Sequence, residues 1–146
     1  MEKEKPQNFD NHARFVPAFH FFVLPVLLIN FGRSLYLLRH GITRGMIFEV
    51  LMAAALLTLA LCARTFAVSV QDRVIQLEMR LRLHELLPMD LKGKINEFTL
   101  GQLIALRFAS NEELPDLARR VLQDRVTDRA AIKKMVKNWR PDYLRA

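Results

Sequence analysis

Residues 50–63 read VLMAAALLTLALCA, and this run decides the fold because it contains no charged side chain. The surrounding segment 46–70 carries only Glu49 and Arg64, and an earlier segment, 16–38, carries only Arg33. As a helix, segment 16–38 would be roughly 34 Å long, which exceeds the hydrocarbon core of a bilayer at about 30 Å. The sequence therefore predicts two membrane-spanning helices, 16–38 and 46–70.

Charge is distributed unevenly along the 146 residues, whose formal net charge is +7. Residues 1–70 hold 7 of the 22 Lys and Arg residues and 4 of the 15 Asp and Glu residues. The remaining 76 residues are too few to cover two such apolar helices, which argues against a single water-soluble globule. The single cysteine excludes a disulfide framework and a cysteine-cluster zinc site.

The link between the two apolar segments, residues 39–45, is short and contains two glycines, so it predicts an antiparallel hairpin. Fourteen polar residues of mixed charge precede the first apolar segment, and no small-x-small cleavage site follows it promptly, which favours a retained anchor over a cleaved signal peptide. Three basic residues flank the loop side, and seven flank the side of the termini. These seven, Lys3, Lys5, Arg14, Arg64, Arg73, Arg80 and Arg82, favour cytoplasmic termini, with 1–15 as a cytoplasmic segment.

Residues 71–146 predict a helical cytoplasmic domain. Its first part, 71–87, reads QDRVIQLEMRLRLHELL and is rich in helix-forming residues. Val70, Val74, Leu77, Leu81 and His84 follow helical spacing, although Leu77, Met79, Leu81 and Leu83 also alternate as in a strand. We favour a helix, because no breaker separates 71–87 from the second span, and the two can form one long helix that ends at Pro88.

Three shorter helices are predicted after Pro88. Thr99 and Gln102 form a capping-box pattern before the first, and Ser110 and Glu113 form another before the second. Thr127 or Asp128 can cap the third, which Pro141 would end. Their predicted core, which should pack against 71–87, consists of Leu103, Ile104, Leu106, Phe108, Leu114, Leu117, Val121, Leu122, Ile132, Met135, Val136 and Trp139.

Four stretches together cover most of the chain and resemble a family of small bacterial two-helix membrane proteins of unknown function. They are PQNFDNHARFVPAFHFFVLP, QDRVIQLEMRLRLHELLP, QLIALRFASNEELPDL and IKKMVKNWRPDYLR. The resemblance implies a protein of the bacterial cytoplasmic membrane with this architecture. It implies no activity, ligand or catalytic residue.

Polar residues inside the apolar segments are the first candidates for a site, because such residues are costly in a bilayer. These candidates are His20, Arg33 and Glu49. Arg33 and Glu49 should lie at similar depth near the loop, and we predict an ion pair between them. In the alternative, the Arg33 side chain extends to the membrane surface and Glu49 is solvated. We predict no catalytic residue, metal site or cofactor, because no phosphate-binding loop, nucleophile motif or closely spaced histidine pair occurs.

Arg125, Arg129, Lys133 and Lys137 recur every four residues and would form a basic stripe on one helix. Such a stripe could be simply solvated, could contact anionic lipid headgroups, or could bind an acidic protein or nucleic acid. We expect no nucleic-acid partner, because no known binding motif occurs. The Phe-rich start of the first span could contact lipid or hold a lipid, a quinone or a neighbouring subunit.

These features predict an all-α protein with a transmembrane hairpin and a small helical cytoplasmic domain. The function that we expect is that of a non-enzymatic, membrane-anchored interaction module, such as an accessory subunit of a larger membrane complex. Its partners would be membrane lipids and either another protein or further copies of itself. The alternative is a membrane-embedded enzyme or transport component whose site forms on oligomerisation from His20, Arg33 and Glu49.

Overall fold

The computed structural model describes residues 8–9 and 16–142, and these described residues form two compact units. One unit covers 16–69, and the other covers 70–142 together with residues 8–9. Regular structure in these ranges is helical, apart from an isolated β-bridge between Ala109 and Trp139, so the all-α prediction is confirmed. The predicted segment 1–15, with Lys3, Lys5 and Arg14, lies outside the described residues except for residues 8–9.

The first apolar segment is helical from Ala18 to His40. It begins with a π-helical turn, Ala18–Val23, continues as helix α1, Leu24–Leu37, and ends in a 3-10 turn, Leu38–His40. Pro25 is the second residue of α1 and follows the π-helical turn directly, so the continuous helical segment lacks one backbone N–H donor at this point. The observed segment is 23 residues long and is long and apolar enough to cross a membrane.

The second apolar segment belongs to helix α2, Arg44–Leu86, which is 43 residues long. Gly41 precedes it with a φ of 136°, a backbone conformation that residues other than glycine rarely adopt. The Oγ1 atom of Thr43 accepts a hydrogen bond from the N–H of Met46 at 3.2 Å and so caps the helix. Helix α2 includes both the second predicted span and nearly all of segment 71–87, so the helical alternative for that segment is confirmed and the strand alternative is wrong.

Four short helices follow in the second unit: α3, Met89–Lys92; α4, Leu100–Leu106; α5, Leu114–Gln123; and α6, Arg129–Met135. The capping box of α4 is confirmed, because Thr99 accepts from the N–H of Gln102 and the Gln102 side chain accepts from the N–H of Thr99. Asp128 caps α6 by accepting from the N–H groups of Ala130 and Ala131.

The second unit has one apolar core, to which α2 contributes Ile75, Met79 and Leu83. Nine of the twelve predicted core residues are buried, and the remaining three, Leu122, Met135 and Trp139, are partly buried against the core. Packing against segment 71–87 is therefore confirmed. A core of this kind explains why short helices that would be marginal alone form a compact unit.

Two predicted helix boundaries are wrong. Helix α6 ends at Met135 instead of near Pro141, and α5 begins at Leu114. The Glu113 carboxylate accepts from the backbone N–H groups of Lys137 and Asn138 at 2.8–3.1 Å, which holds that segment in an extended conformation beside Ala109. Glu113 therefore does not complete a capping box with Ser110, although the Ser110 Oγ atom still accepts from the Glu113 N–H.

Candidate interaction surface

An open groove of about 830 Å³ lies within the unit 70–142. Helix α2 forms one wall, and Arg107 with the segment Arg140, Pro141 and Asp142 forms the other. The α2 wall combines apolar and charged side chains, and its residues are Gln71, Val74, Ile75, Glu78, Met79, Leu81, Arg82 and Glu85. The groove is therefore amphipathic and carries both signs of charge.

Arg82 connects the two walls of the groove. Its Nη2 atom donates to the carbonyl oxygen of Ala109 at 2.6 Å, and its Nη1 atom donates to that of Arg107 at 3.2 Å. Its Nε and Nη2 atoms also donate to the Oδ1 atom of Asn111 at 3.0 and 2.8 Å. A planar guanidinium can bind several acceptors in this way, and here it fixes α2 against the chain that follows α4.

Arg82 is half-buried and lies near a second arginine. Burial, the larger cause, and repulsion from Arg140 together lower the pKa of its guanidinium to about 10, although attraction to the Glu112 carboxylate acts in the opposite direction. The Arg140 side chain is exposed, so it contributes accessible positive charge to one wall of the groove. Arg107 is less available, because it forms an ion pair with Asp142 at 3.4 Å and lies over the ring of Phe108.

An exposed apolar stripe runs along α2, and two of its residues, Val74 and Leu81, also line the groove. We call Val70, Val74, Leu77 and Leu81 the α2 stripe; each is between 49% and 62% exposed. The opposite face of the helix is buried in the core at Ile75, Met79 and Leu83. Residues two apart lie on opposite faces of a helix, which explains why Leu77, Met79, Leu81 and Leu83 alternate in sequence while belonging to two faces.

The predicted basic stripe does not lie on one helix. Arg125 follows the end of α5, where its φ of 50° is in the left-handed region usually occupied by glycine. Its N–H and that of Val126 bond to carbonyls in the last turn of α5 and close that helix. Arg129 begins α6, Lys133 lies inside it, and Lys137 follows its end. Of the four residues, only Arg129 and Lys133 therefore share a helix.

Two of these basic side chains contact other parts of the unit. The Lys133 Nζ atom lies 5.3 Å from the centroid of the Phe108 ring, which is a cation–π distance. Arg129 packs across Gly101, where a Cβ atom would come within 3.0 Å of the Arg129 Nε atom. The basic residues thus support the packing of α6 as well as contributing surface charge.

The structure does not bring together the three polar residues of the apolar segments. The His20 Nδ1 atom lies 3.0 Å from the Val16 carbonyl oxygen at the start of the first helical segment. Arg33 is 13 residues further along, which corresponds to roughly 20 Å of helix. Arg33 and Glu49 are both exposed, and the predicted ion pair between them is not formed within the described unit 16–69.

Arg82, Asn111 and Arg140 are the residues of this surface that sequence reasoning missed. The sequence identifies Arg82 only as one of several basic residues near the end of the second span. Its acceptors lie 25–29 residues away in sequence, and no local pattern indicates such contacts. Groups of three or more His, Cys, Asp or Glu that could hold a metal ion do not occur in the described ranges 8–9 and 16–142.

These observations define an all-helical protein in which two helices are long and apolar enough to cross a membrane and a separate helical unit carries an amphipathic groove. The chain belongs to the family of unknown function DUF6526, whose family model matches residues 1–146. No curated protein and no solved structure matches the chain.

Proposed function

We propose that the protein is anchored in the bacterial cytoplasmic membrane by a two-helix hairpin, with both termini in the cytoplasm. The supporting observation is the exposure of the two candidate spans, each of which has only 6% of its most apolar window buried. A core helix of a soluble protein of this length would bury most of that window. The larger number of basic residues on the terminal side supports the orientation.

Extraction and labelling of the full-length protein test this arrangement. Alkaline carbonate should leave the protein in the membrane pellet. After Cys62 is replaced by Ala, a membrane-impermeant maleimide should label Ile42→Cys in intact cells and should label Met89→Cys only after the membrane is opened. Both positions are exposed, so equal labelling of the two variants in intact cells would contradict the orientation.

We further propose that the protein is a non-enzymatic interaction module, such as an accessory subunit of a larger membrane complex. The observation that carries this proposal is the amphipathic groove together with the α2 stripe, which shares Val74 and Leu81 with it. Exposed apolar side chains rimmed by charged residues are typical of surfaces that bind other proteins. The basic residues Arg125, Arg129 and Lys137, all exposed, would give such a module a further attraction to anionic headgroups.

Purification from native membranes in a mild detergent, followed by mass spectrometry, tests the function. We expect another membrane protein to co-purify in a fixed ratio and to be lost in Arg140→Glu, which reverses the charge of one groove wall. Arg120→Glu is the matched control, because Arg120 is equally charged and exposed on α5 but does not line the groove. Co-purification that is insensitive to Arg140→Glu would remove the groove from the proposal.

The alternative function, a membrane-embedded enzyme or transport component, would require His20, Arg33 and Glu49 to meet between copies of the chain. The roughly 20 Å between His20 and Arg33 along one helical segment does not favour a shared site. If this alternative held, the same purification would give a pure homo-oligomer whose activity depends on these three residues.

A further inference from the structure

The α2 stripe follows the spacing of a coiled-coil seam. Val70, Val74, Leu77 and Leu81 are separated by four, three and four residues, which is the alternation of d and a positions in heptads. In this register Val74 and Leu81 occupy a positions, and Val70 and Leu77 occupy d positions. Val74 at a with Leu77 at d is the combination typical of two-stranded coiled coils, whereas Leu81 at a and Val70 at d do not add to that preference, so the case for a two-stranded parallel pair depends on the flanking charges.

Charged residues flank the seam on both sides in the same register. Arg73 and Arg80 occupy g positions, and Glu78 and Glu85 occupy e positions. In a parallel coiled coil, each g residue faces the e residue five positions later on the other helix. Arg73 would then face Glu78 of the second chain, and Arg80 would face Glu85, so every such pair has opposite charges.

The charges of these four side chains are not neutralised within the described residues, and Arg80 is the least accessible of the four. None of them forms an ion pair with another residue of the described ranges. Arg73, Glu78 and Glu85 are exposed. The Nε atom of Arg80 is buried, and the described residues offer it no hydrogen-bond partner.

We propose that the α2 stripe is covered by the α2 stripe of a second copy of this chain, in a parallel coiled coil over residues 70–85. This proposal names one partner of the interaction module and therefore rests on the proposed function. The seam would take Val74 and Leu81, with the flanking Glu78 and Glu85, from the α2 wall of the groove. The core contacts of α2 at Ile75, Met79 and Leu83 lie on the other helix face, so the dimer leaves the core of the unit intact.

Charge complementarity indicates that the α2 stripe binds the same segment of a second copy of the chain, in parallel orientation. In an antiparallel pair, g residues face g residues and e residues face e residues, so Arg would meet Arg and Glu would meet Glu. Two copies anchored in the same membrane with the same orientation are also necessarily parallel. The same register continues upstream through Ala60, Ala63 and Ala67, whose small side chains allow helices to approach closely.

Disulfide crosslinking of the full-length protein tests whether the stripes meet. In a chain with Cys62→Ala, Leu77→Cys places a thiol at the seam, and Met89→Cys places one at an equally apolar and more exposed position away from it. In nanodiscs at low protein density, mild oxidation should give a crosslinked dimer for Leu77→Cys and little for Met89→Cys. Equal crosslinking of the two variants would overturn the proposal.

Charge reversal tests the register and the orientation. Arg73→Glu with Arg80→Glu gives an acidic chain, and Glu78→Arg with Glu85→Arg gives a basic chain. Each should weaken self-association, measured by single-molecule counting or energy transfer, by roughly tenfold or more, because attractive pairs become repulsive ones. Mixing the two chains should restore dimers, and so should combining all four substitutions in one chain.

Restoration distinguishes lost pairing from lost folding, because a misfolded chain would not be rescued by a second altered chain. Dimers that persist in both separate variants, or that fail to return in the mixture and in the fourfold variant, would overturn the proposal. The outcome is separate from that of the proposed function. A purified monomer that still retains a different membrane protein through Arg140 would leave the interaction module intact while removing the dimer.

Discussion

The two units of this protein use the same kinds of apolar residue in opposite ways. Across 16–69, leucine, isoleucine and phenylalanine side chains are mostly exposed, and the buried side chains are the small Ser34 and Ala53. Across 70–142, large apolar side chains such as Leu83, Leu103 and Phe108 are fully buried. The second unit therefore has its own core, whereas the first leaves most of its apolar surface uncovered; in the membrane location that we propose, lipid would cover that surface.

The largest expected effect is on the stability of the unit 70–142, and it is tested by a leucine-to-alanine substitution at two places on α2. Leu83→Ala removes a fully buried side chain and should lower the free energy of unfolding of the unit 70–142 by about 2–5 kcal/mol. Leu59→Ala removes a side chain that is 65% exposed in the other unit and should leave that value nearly unchanged. Hydrogen exchange of the α4 and α5 amides in nanodiscs measures the stability of the unit 70–142 in both variants. Equal loss of protection in the two variants would contradict the separation into units.

An introduced arginine in each unit tests whether lipid or water surrounds that unit. Leu59→Arg should reduce membrane insertion, because arginine near the centre of a spanning helix costs roughly 2.5–3.5 kcal/mol. Met89→Arg changes a side chain that is 83% exposed in the other unit and should have no such effect. The fraction that resists carbonate extraction measures the difference. Normal insertion of Leu59→Arg would argue that the bilayer does not surround this segment.

Features that depend on neighbouring residues could be predicted from the sequence. The apolar lengths predicted both long helices, and the Thr99 and Gln102 pair correctly predicted the start of α4. Hydropathy could not show which face of segment 70–87 is buried, because Leu77 and Leu81 on one face are as apolar as Met79 and Leu83 on the other. Only the core contacts decide between the faces, and these contacts come from distant parts of the chain.

The missed features share a physical cause, which is that their interactions connect residues far apart in sequence. The early end of α6 depends on the Glu113 carboxylate, 24 residues before Lys137. The basic stripe was predicted from spacing alone, and spacing does not reveal that Arg125 and Arg129 are separated by a helix end. The role of Arg82 likewise depends on carbonyl groups that local sequence does not place near it.

Removing Arg82 should have an intermediate effect confined to the unit 70–142. Arg82→Ala leaves the carbonyls of Arg107 and Ala109 without their guanidinium donor, so we expect a loss of about 1–3 kcal/mol in the free energy of unfolding. The burial that lowers the Arg82 pKa offsets part of the stabilisation, which keeps the effect below that of Leu83→Ala. Arg120→Ala, at an exposed position on α5, is the control in urea denaturation. An effect of Arg82→Ala no larger than that of Arg120→Ala would show that the guanidinium contacts contribute little.

The smallest expected effect concerns the ion pair between Asp90 on α3 and Arg119 on α5, whose Oδ2 and Nη1 atoms lie 2.7 Å apart. The hydrogen bond from Arg119 lowers the pKa of the Asp90 carboxyl in the folded protein. Its stabilisation is therefore present above the unfolded pKa of about 3.9 and is lost as the pH falls through the folded value. Asp90→Asn should reduce stability slightly at pH 7, and the difference from the wild type should shrink as the pH falls toward 3.

Salt and a second substitution separate this pair from other effects of the change. Both side chains are partly exposed, so added salt should reduce the difference at pH 7. In an Arg119→Ala background, Asp90→Asn should have almost no effect, because the pairing that it removes is already absent. Urea denaturation of the four variants at two pH values measures the coupling. A difference that is independent of pH and persists without Arg119 would assign the effect to local helix structure at α3.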